Sequence, residues 1–135
     1  MKLLAVDCAA NLCSACVLDV TADREIGRSV ADIGKGHAER LMTAIAEALQ
    51  AADADYGDLD RLAVSVGPGS FTGVRVAVSA IRGLALALGL EATGVTTLDA
   101  IAAQAMTAFP DRPVMVALMP GGTIFMLRST IHRAR

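Results

Sequence analysis

The chain has 135 residues, enough for one domain or for one domain with a fragment of a second. It is 54% hydrophobic and only 19% charged, with a mean hydropathy of +0.52, so it buries more surface than one small domain normally requires. A net charge of −2, scattered Lys and Arg, and only Tyr56 with three phenylalanines as aromatics give direct nucleic-acid binding little support. The N-terminus runs straight into a strand-like pattern with an acid at Asp7, unlike a signal peptide. The longest apolar stretch, residues 81–90, is broken by Arg82 and two glycines and is too short to span a bilayer. A cytoplasmic location without a membrane is the expectation.

In chain order, residues 2–6 form a short apolar strand and residues 7–11 a turn. Residues 12–20 form a second strand, joined closely enough to pair antiparallel with the first. A polar turn over 21–24 leads to a weaker third strand over 25–33. The Gly34-Lys35-Gly36 loop then precedes a helix over 37–52, whose Leu41, Ile45, Ala48, Leu49 and Ala52 recur at helical spacing as one buried stripe. Met42 and Ala46 widen that stripe toward a second contact. Residues 53–60 are an acidic linker, 62–66 a buried strand, and 74–90 a long helix. A short strand ends at Gly94-Val95. A further helix, capped by Thr96 with Asp99 at its third position, runs to Ala108. Residues 114–118 complete the series and are read as the fifth strand of a mixed α/β sheet with helices on its faces.

Three cysteines lie close together at Cys8, Cys13 and Cys16. Cys13 and Cys16 are three apart in a strand, so they face opposite sides and cannot grip one metal. All three are read as buried structural thiols.

The most informative run is Gly67-Pro68-Gly69-Ser70-Phe71-Thr72-Gly73-Val74-Arg75, set between a strand and a helix. Strand, glycine-rich turn and helix N-terminus together make a generic anion site, and Ser70 or Thr72 can cap the helix. The run nevertheless lacks a P-loop Lys-Ser or Lys-Thr ending, and its glycines miss the dinucleotide spacing by one residue. Asp7, Gly69 and Arg75 are weak candidates for nucleotide contact. The turn after Asp7 has no glycine, and no hydroxyl until Ser14, so it offers little to a triphosphate. His37 and Glu39 sit two apart without a third ligand, and no nucleophile has its base. No catalytic residue and no metal site emerge. The helix over 74–90 is apolar on nearly its whole circumference, and Ser79, Gly83 and Ala87 let another backbone approach closely. Either this helix packs tightly against another helix of the chain or, with the 37–52 helix, it forms a subunit interface.

The Gly67 to Arg75 motif, His37-Ala38-Glu39, the Asp7 hairpin and Gly94-Val95-Thr96-Thr97-Leu98 together resemble the bacterial TsaB (YeaZ) family. The resemblance covers residues 1 to about 118. It implies an actin-like, ribonuclease-H-like N-terminal domain with a five-stranded mixed sheet. It further implies a non-catalytic dimerisation subunit of tRNA N6-threonylcarbamoyladenosine synthesis. Such a subunit pairs with a TsaD-like catalytic paralogue, is joined by a TsaE-like ATPase and meets tRNA only through the complex; a homodimer is the variant. ATP and metal belong to the partner subunits. Interface roles then fall on His37, Leu41, Ile45, Val76, Ala80, Gly83 and Ala87. The alternatives are an ATP-binding enzyme of kinase or ATPase type using Asp7 and the 67–73 turn, and, more remotely, a peptidase.

The chain departs from the family pattern after Leu118, where the family continues with Asp-Ala-Arg-Arg, a few residues and a tyrosine. Residues 119–128 can be back-translated so that one added base yields Asp-Ala-Arg-Arg-Asp-Asp-Leu-Tyr-Ala-Gln. A single-base deletion is therefore the expectation, with residues 119–135 an aberrant tail in place of a second domain.

Overall fold

The computed structural model describes residues 1–32, 37–118 and 124–127. The Gly34-Lys35-Gly36 loop, the end of the third strand at Ile33 and the side chain of His37 lie outside the described residues. Three strands open the chain: β1 (Lys2–Asp7), β2 (Leu12–Asp19) and β3 (Arg24–Asp32). They pair as antiparallel neighbours. Helix α1 (His37–Ala51) crosses to β4 (Arg61–Ser65), and α2 (Phe71–Leu88) crosses to β5 (Glu91–Val95). Both crossovers return strands parallel to the growing sheet, whose order is β3-β2-β1-β4-β5. Local hairpins thus build one half of the sheet and β-α-β units the other.

Strand alternation decides which side is core. Leu4 and Val6 of β1, Cys13, Ala15 and Val17 of β2, and Leu62 and Val64 of β4 all point to the face that α1 and α2 cover. Leu41, Ala44, Ile45, Ala48 and Leu49 of α1 meet them, as do Ala77 and Ile81 of α2. The other face carries Ala5, Asp7, Ser14, Cys16, Ala63 and Ser65, smaller and more polar. It is covered only in part, near the start of α3 (Thr97–Ala108).

Three boundaries differ from expectation. Helix α2 starts at Phe71 rather than Val74, because the Ser70 side chain accepts the Gly73 N–H at 3.1 Å and so caps it three residues earlier. It ends at Leu88, where Gly89 takes a left-handed conformation. The stretch 114–118, expected as the fifth strand of the main sheet, is β6 (Met115–Leu118) and lies in a separate two-stranded sheet with β7 (Ile124–Leu127). Its place in the main sheet is filled by β5. Because β7 falls inside 119–135, part of that tail is a strand; the rest of it lies outside the described residues.

The cysteine expectation also changes. Cys8 and Cys13 are joined as a disulfide across the β1–β2 turn, with Cα atoms 4.4 Å apart. The β1–β2 register is the reason. Asp7 stands opposite Ser14, so the next pair inward toward the turn is Cys8 with Cys13. Cys16 is the free thiol and faces the opposite side, as its spacing from Cys13 requires.

Candidate functional site

The Asp7 turn and the glycine-rich turn converge at the ends of β1 and β4. A phosphate cradle needs open space between two such loops; here the loops fill it with each other. Ser70 donates its N–H to the Ala9 carbonyl at 2.6 Å. Gly69 lies against the Ala9 carbonyl and Cβ, and Gly73 against the Cys8 carbonyl, both too close for any side chain. These two positions demand glycine because backbone meets backbone there. Gly67, at φ 94°, turns the chain so that its carbonyl accepts the Thr97 N–H at 2.9 Å, tying the motif to α3. Beside this contact the Ser65 and Thr97 hydroxyls are 3.2 Å apart.

Of the weak nucleotide candidates, Gly69 is exposed on one side and backs directly onto Ala9 on the other, which closes the space between the two loops. Asp7 is exposed, and its Oδ1 accepts the Ala9 N–H at 2.8 Å, a turn-forming role. Arg75 is exposed and stacks over the Phe71 ring, 4.0 Å from the guanidinium carbon to the centroid. Phe71 itself is 71% exposed. The motif gives this aromatic no role by itself; its signal in the sequence is an apolar residue in the first turn of a helix that needs none there.

The outward face of α2 is the second feature of the site. The helix has 18 residues and a mean hydropathy of 1.5, yet only 17% of it is buried. Leu86 is 87% exposed, and Ser79, Gly83 and Ala87 are exposed beside it. A Cβ built on Gly83 would meet nothing among the described residues, so no described helix packs on the small-residue stripe there. Length and composition alone would let α2 cross a bilayer. However, it bridges two hydrogen-bonded parallel strands, carries Arg75 and Arg82, and lays Gly73, Ala77 and Ile81 on the sheet. A crossover helix of this kind cannot leave the sheet without tearing it.

The expected interface residues divide by burial. Gly83 and Ala87 are exposed, Val76 and Ala80 are half-buried. Leu41 and Ile45 are fully buried beneath α1 in the chain's own core, which corrects their assignment to an interface. A helical stripe shows that a face is covered; here the sheet covers it. Met42 and Ala46, on the flank of that stripe, are exposed.

The opposite sheet face holds a groove of about 200 Å³, lined by Ala5, Asp7, Ser14, Cys16, Arg28 and Ser65 among others. Burial there pushes the Cys16 thiol up, with Glu25 adding to the effect and Arg28 opposing it. Arg28 is engaged by Glu25, whose carboxyl its guanidinium holds below the usual range.

Comparison with known proteins matches this arrangement. The family model for TsaD, tRNA N6-adenosine threonylcarbamoyltransferase, matches residues 31–129. The chain belongs to the TsaB/TsaD family. The Escherichia coli K12 tRNA threonylcarbamoyladenosine biosynthesis protein TsaB is 32% identical over 102 residues, which are 76% of this chain and 43% of that protein. A Cereibacter sphaeroides tRNA N6-adenosine threonylcarbamoyltransferase is 39% identical over 89 residues, 65% of this chain and 24% of that one. The solved structure of YeaZ from Pseudomonas aeruginosa superposes with a TM-score of 0.73 at 28% identity, over 95% of this chain and 65% of its own. The resemblance drawn from the motifs to the TsaB (YeaZ) proteins, and with it the actin-like fold, therefore stands. The chain spans about half the length, or less, of the curated TsaB relatives it matches. The family match also continues past Leu118, to residue 129.

Proposed function

We propose that this TsaB-like chain is a non-catalytic scaffold subunit in the formation of tRNA N6-threonylcarbamoyladenosine. It pairs through α2 and the exposed flank of α1 with a TsaD-like catalytic paralogue. The observation that carries this reading is the outward face of α2, where Gly83, Leu86 and Ala87 form an apolar, small-residue surface with no acid in the whole helix. The closed contact between residues 8–9 and 69–73 supports the second half of the reading, that nucleotide and metal sit on partner subunits. A TsaE-like ATPase joins the pair, and tRNA is reached through the complex in the bacterial cytoplasm. Where no partner is available, the same face allows self-pairing.

Two experiments test it. Co-expression with a TsaD-like partner gives a stoichiometric complex on size exclusion; two separate species would refute pairing. Calorimetry with ATP and magnesium gives no heat for this chain alone, whereas tight binding would favour the ATP-binding enzyme instead. The aberrant tail over 119–135 is also a proposal. The nucleotide sequence at codons 119–128 decides it, since neither shifted frame yielding Asp-Ala-Arg-Arg followed by a tyrosine would end the frameshift idea.

A further inference from the structure

We propose that the Cys8–Cys13 pair is a redox switch on the seat of α2. Both residues are fully buried in the core cluster, and they close the turn that carries Ala9. The backbone of this same turn receives α2. The Cys8 carbonyl backs Gly73, the Ala9 carbonyl backs Gly69, and the Ala9 carbonyl also accepts the Ser70 N–H at 2.6 Å. Ser70 in turn caps the helix through Gly73. The disulfide, the turn, the cap and the first turn of α2 are therefore mechanically continuous. The third cysteine, Cys16, lies on the far side of the sheet, out of reach for exchange.

The chemistry is thiol–disulfide exchange with a small thiol such as glutathione. Because both sulfurs are buried, exchange proceeds when the β1–β2 turn opens locally: a glutathione thiolate attacks one sulfur, the Cys8–Cys13 bond breaks, and a mixed disulfide forms as the other sulfur leaves as a thiolate and takes a proton. A second glutathione thiolate attacks the mixed disulfide. The products are oxidised glutathione and two protein thiols, and two electrons have moved to the chain. Disulfides in reducing compartments are usually transient and redox-sensing, which suits a chain proposed to work in the cytoplasm. Reduction removes the tie across the turn, so the Ala9 carbonyl no longer holds a fixed position under Ser70. The first turn of α2 then opens more often. Only the consequence for partner binding rests on the pairing reading; the loosening of α2 does not.

The test uses the whole chain equilibrated in oxidised or in reduced glutathione, then acid-quenched. Alkylation under denaturing conditions with mass detection is expected to find one free thiol in the oxidised chain and three in the reduced chain. Amide exchange at Ser70, Gly73 and Val74 is expected to rise at least about tenfold on reduction, while amides of β4 stay within about twofold. Three thiols in oxidised glutathione, or exchange at Ser70 and Gly73 unchanged by reduction, would overturn the switch. A Cys8→Ser/Cys13→Ser chain should match the reduced one; should it fail to fold, the glutathione comparison on the unaltered chain still decides. Partner capture by both forms keeps the two proposals separable. Altered exchange with no capture by either form sinks the pairing reading alone.

Discussion

Helices α1 and α2 lie side by side on one face of one sheet, yet they are built on opposite plans. Helix α1 is amphipathic: Leu41, Ala44, Ile45, Ala48 and Leu49 face the sheet, and Glu39, Arg40, Thr43, Glu47 and Gln50 face out. Apart from the exposed flank at Met42 and Ala46, its apolar side is covered by its own domain. Helix α2 fully buries only Gly73, Ala77 and Ile81, packs Val76, Val78, Ala80, Leu84 and Ala85 half-buried against the core, and leaves Leu86 in the open. On the pairing reading, the apolar surface that the sheet leaves uncovered is where a partner docks, and the contrast between the two helices then separates structural apolar residues from functional ones.

The comparison breaks most visibly at matched leucines. Leu41→Ala, inside α1's stripe, should cost about 2–5 kcal/mol of stability. Leu86→Ala on α2 should stay within about 0.5 kcal/mol, because that side chain is already in water. Denaturant midpoints of the two variants check this; equal losses would mean that α2 is covered by its own chain. Next in size is Gly73→Val, which drives a side chain into the Cys8 carbonyl and should cost about 1–3 kcal/mol, read as a lowered melting temperature. Ser70→Ala removes the cap on the same helix and should cost about 1 kcal/mol in the same measurement.

The smallest expected effect concerns acid. The Arg28 guanidinium holds the Glu25 carboxyl below its ordinary range, so its contribution is present above the unfolded pKa and is lost as pH falls through the folded one. The pair is solvent-exposed, with side chains 59% and 35% accessible, so its removal by Arg28→Ala should cost no more than about 1 kcal/mol. Stability of this variant should converge with that of the parent as pH falls below the carboxylate range.

Much of this was legible in the residues themselves. Alternation in β1 and β2, the α1 stripe, and the Thr96 cap, whose hydroxyl accepts the Asp99 N–H at 3.0 Å, are local signals, and the structure realises them. The motif over 67–75 named the family because its glycines answer to one close contact with Cys8 and Ala9. What failed were statements about partners in space. Periodicity marked Leu41 and Ile45 as buried but could not say that the sheet, not another subunit, buries them. Residues 114–118 have strand character, but pairing with 124–127 rather than with β5 is a long-range choice that propensity does not contain. The three-residue spacing of Cys13 and Cys16 carries no sign of the disulfide. The signal lay instead in the hairpin register that sets Cys8 opposite Cys13.

The most direct measurement is capture of a TsaD-like partner by the unaltered chain and by Gly83→Glu. An added side chain at Gly83 meets nothing among the described residues, and replacing a mid-helix glycine favours the helix by about 0.5–1 kcal/mol, so this variant folds at least as well as its parent. The account predicts that the parent captures the partner and Gly83→Glu does not, at an unchanged or higher melting temperature. Equal capture by both would contradict it.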